Sequence, residues 1–200
     1  HNKKIEIILI NDCSLDKSIN ICKNYIKKFN FIRLINQEKN RGVSNCRNIG
    51  IKNALGKYIC FVDSDDKLAI GSINLILKNI KNFSKNEIFV LRSREVSKKL
   101  VDKNQFLKLS QRKKNISILD HINDFDLFRA TCWNFIVKKN FLKTNNICFK
   151  NIITYEDQVF VSAILCLSEN YKIIRKTIYF LRNYEPNTLG KISGYVVVKS

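Results

Sequence analysis

The chain has 200 residues, 45% of them hydrophobic, and 36 Lys and Arg against 17 Asp and Glu give it a formal net charge of +19. That is apolar material for one core, and no run approaches the roughly 18 apolar residues that a spanning helix needs, so one domain without a membrane span is expected. Seven cysteines, at positions 13, 22, 46, 60, 132, 148 and 166, are odd in number and never spaced Cys-x-x-Cys, which argues against a disulfide framework or a zinc ribbon and for reduced cytosolic thiols.

From the N-terminus, "KIEIILI" (4–10) is a short strand too apolar to have one wet face, the style of a parallel strand covered on both sides. "DKSINICKNYIKKF" follows with Ile19, Cys22, Ile26 and Phe29 at helical spacing. A strand "FIRLIN", a helix around "VSNCRNIGIKNA" and a strand "KYICFV" come next, and this alternation predicts a doubly wound α/β unit. A helix over 69–82 and a strand over 87–92 complete the first half. Residues 93–120 are lysine-rich and weakly periodic, a surface segment of partly helical character. A strand near "WNFIVKK", a helix over 155–168 and strands over 171–175 and 177–182 close the pattern. Cys60 and Cys166 lie in apolar runs and are expected to pack as small hydrophobes.

The chemistry-bearing residues fall where such a sheet binds ligands, beyond the carboxyl ends of its strands. Asp12 stands just past the first strand, where Asp12 or Ser14 could equally cap the next helix. "YICFVDSDD" sets Asp63, Asp65 and Asp66 just past the third strand. A turn and a helix cap account for one or two of these acids but not all three, since unpaired carboxylates about 4 Å apart repel by several kcal/mol at an effective dielectric near 20. A divalent cation, Mg2+ or Mn2+, held by one or two carboxylates and substrate phosphates, accounts for the group better. Between them Gly42 opens a helix whose N-terminus suits a phosphate, and Arg47 one turn on supplies a planar cation. "TYEDQVF" begins a helix with Glu156 and Asp157; Thr154 with Asp157 resembles a capping box, and a carboxylate on a rigid helix end also suits a general base. Trp133 fits either a core position or a stacking face for a sugar, and His1 and His121 are too few and too distant for a histidine metal site.

The positive charge fits nucleic acid, anionic lipid or a phosphorylated substrate, but the lysines are spread through a chain rich in Asn and Ile, the composition of an AT-rich coding sequence.

In order and spacing, "EIILINDCSLDKS", "NRGVSNCRNIGIKNALGKYICFVDSDD" and "YEDQVF" resemble the family 2 glycosyltransferases of the GT-A fold, bacterial enzymes of surface-polysaccharide, teichoic acid and lipooligosaccharide synthesis. The resemblance covers about residues 4–92 and 131–185, and implies one GT-A domain over 1–200, with a nucleotide-sugar-binding half, 1–92, and an acceptor-binding half, 93–200. It implies an inverting, Mn2+- or Mg2+-dependent transfer from a nucleotide-sugar, usually UDP-linked, to a hydroxyl of a glycan or lipid-linked acceptor. Asp12 would then bind the base, Arg47 the donor, Asp63 the ribose and Asp65 the metal, with Asp66 supporting that shell. Asp157 would be the catalytic base, Glu156 its neighbour, and Trp133 would line the acceptor side.

A cytoplasmic protein follows from this, one that meets anionic membrane peripherally and binds no nucleic acid. Family members usually begin with a further strand and helix, so roughly thirty to forty upstream residues are expected, in keeping with the absence of methionine. Without that central strand, a gap in the sheet and an inactive or unstable fragment are expected. Two other readings compete: a phosphohydrolase with an Asp nucleophile, in which Lys67 stands where Thr or Val would be expected, and a non-catalytic basic binding module.

Overall fold

A computed structural model describes residues 4–96, 131–182 and 192–198. In chain order it contains β1 (Ile5–Asn11), α1 (Ser18–Lys28), β2 (Ile32–Asn36), α2 (Val43–Asn53), β3 (Tyr58–Asp63), β4 (Lys67–Leu68), α3 (Ser72–Asn82) and β5 (Ile88–Val96). A 3-10 turn (Cys132–Asn134) then leads into β6 (Phe135–Lys138), α4 (Lys139–Thr144), α5 (Glu156–Leu167), β7 (Tyr171–Arg182) and β8 (Ile192–Val198). The expected strands and helices are present with ends shifted by a few residues. Residues 93–96 continue β5; the remainder of the lysine-rich segment, and both histidines, lie outside the described residues.

The strands form one eight-stranded sheet in the order β2-β1-β8-β3-β6-β5-β7-β4. β1 runs parallel to β2 and β5 to β7, whereas β8 is antiparallel to β1 and β3, and β6 to β3 and β5. Five strands therefore share one direction and three oppose it, a mixed doubly wound sheet. β7 is a single strand where two were expected, because irregularities in its register with β5 between Leu91 and Ser93 absorb the break near residue 175.

The expected gap is filled. β8 pairs along its whole length with β1, from Ile5–Val198 to Asn11–Ile192, and on its other side with β3, from Tyr58–Val198 to Asp63–Ser193. Two strand edges facing each other across an empty slot would leave a row of buried N–H and C=O groups unpaired, and an antiparallel insertion satisfies them as well as a parallel one.

Side chains alternate cleanly across the sheet. Ile59, Phe61, Ile88 and Val90 point into one core with α2 and α5, while Tyr58, Cys60, Phe89 and Leu91 point into the other with Ile76 and Ile80 of α3. Both faces are thus covered, which explains why the strands read as unbroken apolar runs. In the first core Phe149 and Phe160 stack at 4.0 Å between centroids and Phe61 meets them edge-on at 5.3 and 5.7 Å. Each buried ring contributes about 2–3 kcal/mol, and together they form the rigid floor beneath the polar residues described next. Cys60 packs in the second core as expected, but Cys166 is exposed; all seven thiols are free.

Candidate functional site: a guanidinium among three carboxylates

The residues singled out from the sequence gather beyond the ends of β1 and β3, and α2 is their hub. The helix starts at Gly42, whose φ of 83° and ψ of 167° suit glycine alone. Asp12 secures that start: its Oδ1 accepts the N–H of Arg41 and the amide of Gln37, each at 2.8 Å, and its Oδ2 accepts the N–H of Gly42 at 2.8 Å. The anion at the entrance to α2 is therefore the protein's own carboxylate, at the place where the sequence suggested a phosphate. Neither Asp12 nor Ser14 caps α1, which begins after Lys17 with no side-chain cap. Cys46 lies beside this knot and its thiol is pushed up to about 12, first by burial and then by the Asp12 charge.

At the other end of the site, reciprocal bonds from Asn48 to the backbone of Phe149, 2.8 and 2.9 Å long, tie α2 to the segment leading to α5. Tyr155 takes a left-handed conformation, φ 67°, immediately before α5 and turns its first two residues inward. The expected capping box of Thr154 and Asp157 does not form; no side chain caps this helix. A buried cation attracts the Asp157 carboxylate more strongly than a backbone N–H does.

That cation is Arg47. Its Nη1 donates to Glu156 Oε1 at 3.1 Å and to Asp157 Oδ1 at 2.5 Å, and its Nη2 donates to Asp63 Oδ1 at 3.3 Å. The guanidinium lies 5.2 Å from the centroid of the Phe149 ring and its side chain is 5% exposed. Burial pushes Asp63 up to about 6 against the pull of Arg47, with the Asp157 and Asp66 charges adding to the rise. Burial also raises Asp157, again opposed by Arg47 and reinforced by Glu156. The second oxygen of Asp157, Oδ2, accepts a long bond, 3.4 Å, from the N–H of Cys132, and the buried Cys132 thiol hydrogen-bonds the same carboxylate.

The turn after β3 divides its acids. Tyr179, fully buried, accepts the N–H of Asp63 at 3.0 Å and donates to Asp66 Oδ2 at 2.8 Å, so one phenol pins both flanks of the turn. Asp65 is half-buried and has no side-chain bond to any described residue. Among the described residues no three His, Cys, Asp or Glu side chains form a metal cage. A lone accessible carboxylate on a pinned turn nevertheless fits a hard cation whose remaining ligands come from substrate and water. Trp133 is 4% exposed and stacked on Tyr179 at 4.8 Å, an arrangement that buttresses the turn and covers the ring the sequence offered to a sugar.

Sequence reasoning missed Tyr179, Gln37, Asn48 and Phe149. None carries a local signal, because each acts on a residue far along the chain: Tyr179 on Asp63 across 116 positions and Asn48 on Phe149 across 101.

The model of the family described as glycosyl transferase family 2 matches residues 1–144. The minor teichoic acid biosynthesis protein GgaB of Bacillus subtilis is 33% identical over 189 residues, 90% of this chain and 20% of that protein. A cholesterol galactosyltransferase of Borreliella burgdorferi is 27% identical over 205 residues, covering 98% of this chain and 56% of its own length. Among solved structures, S. aureus TarS 1–349 in complex with UDP-GlcNAc superposes with a TM-score of 0.73 at 22% identity, over 91% of this chain and 50% of that one. The chain thus spans between a fifth and little over half of the length of these proteins.

Proposed function

The chain belongs to glycosyl transferase family 2, and from that premise we propose that it serves an inverting transfer of a sugar from a UDP-sugar to a hydroxyl of a glycan or lipid-linked acceptor. One observation carries the reading: Asp63 and Asp157, brought from distant segments, meet on one guanidinium in the region where α/β sheets bind ligands. Titratable groups raised by burial and set beside a single cation are what a base and a sugar-binding acid require. The teichoic acid relative and the UDP-GlcNAc complex of the structural neighbour favour a surface-polymer acceptor and a UDP donor.

In this reading residues 1–92 hold the donor and 93–200 the acceptor. Asp12 accepts a hydrogen bond from the base with the lone pairs left beside its loop contacts, and Asp63 accepts from the ribose. Asp65 holds Mn2+ or Mg2+, which when bound supplies Lewis-acid stabilisation of the diphosphate. Asp66, held by Tyr179, keeps the turn in shape. Asp157 takes the acceptor proton as the hydroxyl attacks opposite the leaving group, and one base suffices because inversion needs no covalent sugar intermediate. Trp133 reaches the acceptor side only through the wall it forms with Tyr179. Among the described residues no helix is long and apolar enough to cross a membrane; the reading places the protein in the cytoplasm, with peripheral contact to anionic lipid through its net positive charge.

UDP titration with and without Mn2+, together with a UDP-release assay over a donor panel, tests the proposal. Removing Mn2+ or introducing Asp65→Ala should weaken UDP binding by about tenfold or more. Asp157→Asn should abolish UDP release while leaving UDP binding intact. Metal-indifferent UDP binding would overturn the reading, as would a phosphatase activity that survives Asp157→Asn and is lost in Asp63→Asn.

A further inference from the structure

Arg47 was expected to hold the donor, yet its guanidinium donates to three of the protein's own carboxylates. The fork spans three of them, with Nη1 shared by Glu156 and Asp157 and Nη2 on Asp63. The two oxygens of Asp157 are thereby made unequal. Oδ1 lies 2.5 Å from the guanidinium, while Oδ2 faces Cys132, whose N–H donates to it at 3.4 Å and whose thiol also hydrogen-bonds the carboxylate. A carboxylate locked through one oxygen presents the other in a fixed direction, which is what a general base requires at the moment of attack.

We propose that Arg47 is a positioning residue for proton transfer, fixing Asp157 through Oδ1 so that Oδ2 accepts the acceptor's proton, and tying that base to Asp63 on the donor side. This rests on the reading of Asp157 as the base. In the step itself the acceptor O–H proton passes to Oδ2 and the acceptor oxygen forms its bond to the anomeric carbon. The bond from that carbon to the phosphate oxygen breaks, its electron pair leaving with UDP. The groups facing Asp157 are Arg47 from α2, Glu156 on its own helix, Cys132 from the 3-10 turn and Asp63 at the end of β3. Arg47 is the cation among them and favours the ionised form of the base, opposing burial and the neighbouring acids.

The test compares Arg47→Gln and Arg47→Lys with the wild type for UDP affinity and for kcat as a function of pH. In Arg47→Gln, UDP affinity should stay within about threefold and kcat should fall by about 10–100-fold. Its acidic limb should move upward by about one pH unit or more, because loss of the cation favours the protonated base. Arg47→Lys, which keeps charge but not the fork, should leave the limb near its wild-type position and recover only part of kcat. A purely structural role would lower kcat equally at all pH values without moving the limb, and would overturn the proposal.

Weakened UDP binding with unchanged kcat in either variant would overturn it too, by making Arg47 a donor ligand. Should Arg47→Gln not fold, Arg47→Lys decides by the same split between affinity and kcat. Normal wild-type turnover with an unmoved limb in Arg47→Gln is failure of this inference alone; absence of turnover with every donor in the full-length protein is failure of the reading beneath it.

Discussion

β1 carries a carboxylate near each end, and both are applied to α2. Glu6, 2% exposed, accepts the N–H groups of Leu55 and Gly56 just past the end of that helix, at 2.6 and 2.8 Å, and pairs with Arg33 at 2.9 Å. Asp12, 5% exposed, accepts the N–H groups of Arg41 and Gly42 just before its start. The device is the same, but the surroundings differ. An acid at the C-terminal end of a helix opposes the helix dipole, and Arg33 and Lys139, which donate to the carbonyls of Asn53 and Ala54, offset it there. Asp12 lies at the favourable end of the dipole and needs no cation. The Glu6 end is closed by its own partners. The Asp12 end lies at the start of the helix that carries Arg47, beyond the ends of strands sharing one direction, the region where such sheets bind ligands. A carboxylate accepting two backbone N–H groups thus serves architecture at one end and, in the proposed reading, architecture and recognition at the other.

Substitutions at the two ends can separate those tasks. Glu6→Ala leaves the N–H groups of Leu55 and Gly56 without this acceptor and Arg33 without its partner, and should cost about 2–4 kcal/mol of stability, read as a lower urea midpoint, with UDP affinity of the folded protein unchanged. Asp12→Asn keeps one acceptor oxygen but turns an amide N–H2 toward a backbone donor. It should cost less, about 1–2 kcal/mol, and weaken UDP binding by about tenfold in calorimetric titration. An Asp12→Asn variant that binds UDP normally would make the two ends equivalent. Gly42→Ala sharpens the contrast at the smallest scale. A Cβ there meets no atom of the described residues within 4 Å, so backbone strain at φ +83° is the expected penalty; about 1 kcal/mol is expected, visible as a small fall in Tm.

The parts of the fold that were legible are those written in near neighbours. The alternation of β3 and β5 side chains between two cores and the helical stripe of α3 follow from side chains two to four positions apart, and the acids past β1 and β3 stand out because they end apolar runs. β8 was not legible: its place between β1 and β3 depends on an open pair of strand edges far away in the chain. The Asp157 reading illustrates both sides. Its position at a helix start was readable, whereas its apparent capping partner Thr154 lost to a cation 110 residues distant. Trp133 was open between core and sugar, and only the neighbouring Tyr179, 4.8 Å away, shows which face is covered.

By itself the sequence determined the alternation of strands and helices, the family, and which acids stand at strand and helix ends, because periodicity and spacing are local properties that survive without a partner. The tertiary structure alone decided what those acids touch: Asp12 the entrance to α2, Asp66 a tyrosine, and Asp63, Glu156 and Asp157 one buried arginine. A charge in a low-dielectric interior must find its counter-charge wherever the chain brings one, and that place is set by packing rather than by neighbours in sequence.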